Sequence, residues 1–196
     1  EIYSLEELTT AFDLSGIQKG GAIFDIEKLK WFNKEHLKTF SEQDFFEYMN
    51  TQITSDLRSL PQFNEERLRK IMPTIRERIT VAYEVREEAM KGEYDFAFSA
   101  PTVDSAMLKW KSDESSRDAL PRLQKLAEIL ATIPETATPE EIKNRIWDYA
   151  VEIGKGEVLW PLRVALTGRE RSPDPFTVIY IIGSAEAYNR IKTACD

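Results

Sequence analysis

Between Leu159 and Ile191 the chain reads LWPLRVALTGRERSPDPFTVIYIIGSAEAYNRI, and this stretch limits the possible folds more than any other. Its first apolar run, Leu159 to Leu166, carries one cation, Arg163, and stops at Thr167-Gly168, where glycine can close a helix in a left-handed conformation. The loop RERSPDP then sets Arg169 and Arg171 beside Ser172, Pro173 and Pro175. Two prolines within three residues fix backbone angles and stiffen the loop. The β-branched run Thr177 to Ile182 reads, in this context, as a buried helix. The pattern predicts helix, tight loop, helix and the start of a last helix. A stiff, partly cationic loop held between apolar helices suits a surface that meets something anionic in one pose.

Elsewhere no stretch alternates convincingly at period two, and helix starts recur. Ser4 with Glu7 makes a capping box before a short helix, Leu5–Phe12. A connection rich in glycine, Asp13 to Ala22, follows. Asp25 can cap a helix bearing Ile26, Leu29 and Phe32, and Asn33-Lys34-Glu35 breaks the apolar pattern, leaving His36 in a polar loop. Ser41 opens a helix that carries Phe45, Phe46, Met49, Ile53 and Leu57 as far as Pro61. Asn64 caps the next, with Leu68, Ile71, Ile75, Ile79 and Ala82 on one face; Pro73 inside it predicts a kink or two helices. Val81 to Met90 continues helical to Gly92, and the aromatic segment Tyr94 to Pro101 reads as a connection packed on a core. Further helices are expected at Ser105 to Lys111 and Ala119 to Ile133. Thr138-Pro139-Glu140-Glu141 joins an N-cap threonine, a first-turn proline and a box carboxylate, opening a helix to Ile153. The fold expected is all-α, in two helical lobes split near residues 92 to 104.

Chemistry is scarce. His36 is the single histidine, and Cys195, the single cysteine, has no neighbour that would activate its thiolate. Glu6-Glu7, Glu65-Glu66, Glu87-Glu88 and Glu140-Glu141 fall near helix starts or on charged faces, and none has metal-ligand spacing. Gly20-Gly21 lacks the strand before it and the lysine after it that a phosphate loop needs. With one cysteine a disulfide framework is excluded, and no apolar run approaches the roughly 20 residues of a membrane span. These features fit a cytoplasmic protein. The net charge of -8 argues against nucleic acid on average but says little about one face. Arg67, Arg69, Lys70, Arg76, Arg78 and Arg86 give the middle helices local positive charge, part of it explained by pairs such as Glu66 with Lys70. Trp31, Trp110, Trp147 and Trp160 read as core anchors rather than stacking platforms. Arg163 is different, because a cation in an apolar helix must reach water, a carboxylate or a ligand.

Two segments carry a resemblance. FDIEKLKWFNKEHL, Phe24 to Leu37, resembles the segment that follows the catalytic core of bacterial-type glutamyl-tRNA synthetases, and Pro161 to Ile191 resembles the end of the same enzymes. The helices between have the lengths and order of that family's C-terminal half. The resemblance implies a helical-cage anticodon-binding fold in two lobes: a stem-contact remnant over residues 1–60, a first anticodon-binding lobe over 61–100 and a C-terminal lobe over 101–196. The chain opens on Glu1 in mid-pattern, and the class I catalytic signatures are absent, so the expectation is the C-terminal part of a longer ligase.

The family further implies that the parent joins glutamate to its tRNA using ATP and magnesium, while this part holds no cofactor and is inactive alone. It implies tRNA and the chain's own N-terminal catalytic domain as partners, with a monomeric state. Arg163 corresponds to the arginine of the family's PLR motif, and Arg169, Arg171, Ser172, Pro173 and Pro175 to the loop that touches anticodon bases. Pro175 replaces the apolar residue expected there. Arg76 or Arg78 corresponds to a middle-helix arginine that reads a base in some members, and Lys28 and Lys30 to phosphate contacts of the stem region, where Trp31 would be core. Unpaired bases can be splayed out and read on their edges, and a guanidinium offers a planar fork of donors. The rival reading is a helical protein-interaction module without RNA binding. A helical transcription regulator is disfavoured, because no helix-turn-helix with a basic recognition face is present.

Overall fold

The computed structural model describes residues 2–17, 20–21 and 23–195. Among these the regular structure is helical: α1 Leu5–Ala11, α2 Ile26–Thr39, α3 Glu42–Asn50, α4 Ser55–Arg58, α5 Glu65–Arg78, α6 Tyr83–Met90, α7 Leu120–Leu130, α8 Pro139–Ile153, α9 Lys155–Thr167, α10 Pro175–Ile182 and α11 Ser184–Cys195, with short 3-10 turns between. No strand occurs among the described residues. The chain is all-α.

Local chemistry sets most helix starts. Ser4 accepts from the Glu7 amide at 3.2 Å while Glu7 accepts from the Ser4 amide at 2.7 Å, closing the capping box of α1. The same reciprocal pair joins Thr138 and Glu141 at the start of α8, with Pro139 in the first turn, where its missing N–H has no helical partner to lose. Asp25, Ser41, Thr54 and Asn64 cap α2, α3, α4 and α5 through side-chain oxygens. The carboxylate pairs Glu6-Glu7, Glu65-Glu66 and Glu140-Glu141 all lie in first turns, where they face the positive end of the helix dipole.

The buried side chains from Leu37 to Ile191 form one continuous apolar cluster. Its centre is the mutual packing of α7, α8, α9, α10 and α11, and α5 reaches this group by packing on α10. Tyr94, Phe96, Ala97 and Phe98 are buried, so the segment after α6 packs on the core as the sequence leads one to expect. The described residues between 3 and 31 behave otherwise. Leu5, Leu8, Phe12, Ile23, Phe24 and Leu29 are exposed, and α1 buries nothing.

Several expectations change. α2 runs unbroken through Asn33-Lys34-Glu35, so His36 sits in its last turn rather than in a loop. The helix opened by Ser41 ends at Asn50, and Thr54 caps a separate α4 that places Leu57 in the core; a second cap outweighs continued periodicity. Pro73 lies inside a single continuous α5, near its middle, and Ile79 is its C-cap, so the apolar face running to Ala82 is divided by the turn before α6. The helix expected at Ser105–Lys111 is a 3-10 turn, Ser105–Leu108, and Ser116–Ala119 forms another before α7. Trp31 is 50% exposed and is not a core residue. Parts of the connection expected over residues 13–22 lie outside the described residues.

Candidate nucleic-acid interface

The stiff loop takes its shape from the two helices that flank it. α9 ends at Gly168, whose φ of 66° is left-handed. A Cβ there would lie 3.0 Å from the Pro101 Cβ and 3.1 Å from the Thr102 carbonyl oxygen, so both backbone conformation and space require glycine. At the other end Asp174 caps α10, accepting from the Phe176 and Thr177 amides at 3.0 Å each and from the Thr177 hydroxyl at 2.6 Å. Pro175 follows as the first helical residue and is buried.

Arg163 holds the middle of the loop. Its Nη1 donates to the Ser172 carbonyl at 2.7 Å, the Ser172 hydroxyl at 2.9 Å and the Pro173 carbonyl at 3.0 Å. The cation inside an apolar helix therefore finds its partners in the loop itself, an outcome additional to the water, carboxylate or ligand expected. Its Nε and Nη2 make no hydrogen bond, leaving one edge of the fork uncommitted. Burial pushes the guanidinium below its ordinary value while Asp174 opposes the shift, and an arginine stays charged under either influence. Thr167 continues the brace, donating to the Arg163 carbonyl at 2.8 Å and accepting from the Arg169 amide at 3.3 Å.

Arg169 points away from the loop face. It donates to the Gly92 carbonyl at 2.7 Å and pairs with Glu93 at 3.3 Å, tying the loop to the end of α6. Arg171 is exposed and unpaired. The structure thus brings Arg163, Arg169, Arg171, Ser172, Pro173 and Pro175 together in one short loop and gives them different tasks.

The remaining candidates stand on other elements. Arg76 donates to the Phe40 and Ser41 carbonyls at 2.8 and 3.1 Å and lies over the Phe45 ring at 4.2 Å, clipping α5 to the turn between α2 and α3; its Nε is buried without a partner. Arg78, two residues on, is exposed and makes no hydrogen bond or ion pair. Lys28 is exposed near the Phe32 ring, and Lys30 pairs with Glu27 at 3.1 Å. Their helix, α2, does not pack extensively on α9 or α10.

Sequence reasoning missed Arg190, buried behind the loop, and named no partners for Arg67, which is half-buried beside it. Arg190, 4% exposed, donates to the carbonyls of Phe96 and Leu166 at 2.7 Å each and of Ser99 at 3.1 Å, and pairs with Glu186 at 3.0 Å. Arg67 donates to Ala97 and Ile182 carbonyls at 3.1 and 2.9 Å, and Gln62 accepts from it at 2.8 Å. Leu166 is the last turn of α9, so Arg190 satisfies a free helix-end carbonyl next to the loop. The spacing Glu186 to Arg190 was a usable signal for the ion pair; the carbonyl partners, far off in sequence, gave none. A groove of about 600 Å³ between α3 and α5 also escaped notice. There Arg69 lies over Phe46 at 3.7 Å and Lys70 over Tyr180 at 5.2 Å, with Glu42, Glu66 and Glu77 offsetting the positive charge.

Among the described residues no cluster of three or more histidine, cysteine or acidic side chains could hold a metal ion, and no helix is long and apolar enough to cross a membrane. The site offers hydrogen-bond donors on a fixed frame.

Comparison with known proteins places the chain in a family. The glutamate–tRNA ligase of Flavobacterium johnsoniae is 32% identical over 197 residues, which is 99% of this chain and 37% of the relative. That of Lachnoclostridium phytofermentans is 30% identical over 207 residues, covering all of this chain and 39% of the relative. The crystal structure of a glutamate tRNA ligase from Elizabethkingia meningosepticum, in complex with its amino acid, superposes with a TM-score of 0.76 at 28% identity, over 98% of this chain and 36% of that one. The chain therefore spans under two fifths of the length of these relatives. The sequence pattern described as an anticodon binding domain matches residues 27–195. This chain belongs to the anticodon-binding domain family.

Proposed function

We propose that this chain recognises the anticodon of a glutamate-accepting tRNA, and that it does so as the helical part of a cytoplasmic glutamate–tRNA ligase. The observation that carries this reading is the loop from Gly168 to Asp174, braced from within by Arg163 while the open edge of that guanidinium and the Arg171 side chain remain available. Unpaired bases are read by donors and acceptors held in fixed positions, and a braced loop loses little freedom on binding. Ser172 and Pro173 present the turn beside Arg163. Arg169, already paired, positions the loop rather than touching RNA. Arg78, unpaired, is the middle-helix arginine available to a base, whereas Arg76 is occupied. Lys28 and Lys30 add phosphate contacts, which strengthen binding without reading sequence.

Division of labour follows the expected boundaries, with residues 1–60 toward the stem and 61–100 and 101–196 toward the anticodon. The apolar side chains left exposed at Leu5, Leu8, Phe12, Ile23 and Phe24 would be covered by the ligase's N-terminal catalytic part, the site of the ATP- and magnesium-dependent chemistry. A net charge of -8 limits docking on other faces and so favours one pose.

Fluorescently labelled glutamate-specific tRNA, titrated with the chain at two salt concentrations, tests this. Binding that weakens steeply with salt is expected. No binding at low salt, with the chain at roughly tens of micromolar, overturns the reading, since even non-specific protein–nucleic acid contacts appear in that range.

A further inference from the structure

Trp147 lies on α8, facing the start of α10, and is only partly buried. One edge contact goes to Phe176, with ring centroids 6.5 Å apart and planes at 63°. The rest of its surroundings are unlike those of a core tryptophan. Lys143, one turn earlier on α8, places its ammonium 4.9 Å from the ring centroid, and Lys155, at the start of α9, places its own at 4.5 Å. Both lysines are exposed and neither forms an ion pair. A cavity of about 420 Å³ opens here, bounded by Pro139, Lys143, Trp147, Asp174 and Thr177 among others. Asp174 is also the last residue of the braced loop, so cavity and loop form one continuous surface. Its carboxylate is occupied in capping α10, which leaves Glu140 as the one uncommitted carboxylate at the rim.

A flat aromatic covered by the exposed ends of two cations has the composition of a single-strand binding site, where bases stack on rings and lysines follow the backbone. The ammonium groups hold the ring face by cation–π attraction in the free protein and can swing to phosphate oxygens when a base displaces them. We infer that Trp147, with Lys143 and Lys155, stacks one unpaired nucleobase of the bound RNA, next to those met by the Gly168–Asp174 loop. This rests on the RNA-binding reading above and extends it by one base.

The test uses the 196-residue chain, an RNA hairpin carrying the anticodon loop, and the variants W147F, W147L and K143Q/K155Q. W147L keeps an apolar contact for Phe176 but has no ring face; W147F keeps a smaller ring. The expected result is an affinity loss on the order of tenfold for W147L, a much smaller loss for W147F, and a salt slope lowered by about 1.4 for the lysine pair, roughly 0.7 for each phosphate contact on a single strand. Hairpins with a single abasic position should include one that weakens the parent chain but not W147L. If the parent binds while W147L shows the same affinity and the same abasic profile, the stacking site is wrong and the loop reading stands. If the parent binds no RNA, both fall. Should W147L fail to fold, an unchanged salt slope for K143Q/K155Q overturns the site.

Discussion

At the residue scale, the arginines of this chain divide by what their donors already hold. Arg163 gives one nitrogen to the loop and keeps an open edge, so Arg163→Ala should remove a base or phosphate contact and also loosen Ser172 and Pro173. The expected loss in tRNA affinity is about 1–3 kcal/mol, measured by titration. The cost in unfolding free energy should be about 1 kcal/mol, because the freed carbonyls are only part-buried. Undiminished affinity would show that the loop does not face RNA. Arg190 is the opposite case. It is buried and engaged by three carbonyls and Glu186, so Arg190→Met takes a donor from each of those carbonyls and leaves the Glu186 carboxylate with Gln62 in place of an ion pair. A destabilisation of about 3 kcal/mol is expected in urea unfolding; a change below ~1 kcal/mol would mean that water replaces those contacts freely.

At the element scale, helix ends matter in proportion to what their helices bury. Gly168 closes α9 with positive φ against Pro101 and Thr102, and Gly168→Ala should cost about 1–2 kcal/mol through strain and crowding. Thr138→Ala removes the cap of α8, whose Ile142, Ile146 and Ala150 lie in the core, and should cost about 1 kcal/mol. The chemically similar Ser4→Ala should leave the global denaturation midpoint unmoved, because α1 buries no residue and frays independently of the core. Comparing the two cap variants by chemical denaturation checks the argument: equal effects would mean that α1 unfolds together with the rest.

At the scale of the whole molecule, three carboxylates far apart in sequence link stability to pH. For Glu84, Asp113 and Glu186 burial acts to raise the pKa, but hydrogen bonds and nearby cations outweigh it and hold each below its ordinary value. A group depressed in the folded state contributes fully above its unfolded pKa, about 3.9 for Asp and 4.3 for Glu, and loses that contribution as pH falls through the folded value. Thermal stability should therefore be level for these groups above roughly pH 5 and decline below roughly pH 4. Glu186→Gln should soften the decline, and an acid profile identical to the parent's would remove Glu186 from the account. What the sequence determined by itself was local: the all-helical class, the capped starts of α1, α3, α5 and α8, the glycine stop of α9 and the proline-stiffened loop. Each rests on groups within four residues of one another, so the signal lies in adjacent letters. Tertiary structure decided which cations were free, that Trp31 faces solvent, and that Trp147 gathers two lysines beside the loop. Arg169 meets Gly92 across 77 residues and Arg190 meets Phe96 across 94. Such partners are fixed only when the packing of one shared core brings distant backbone carbonyls to a side chain, because an arginine's spacing in sequence does not name the acceptor it will find.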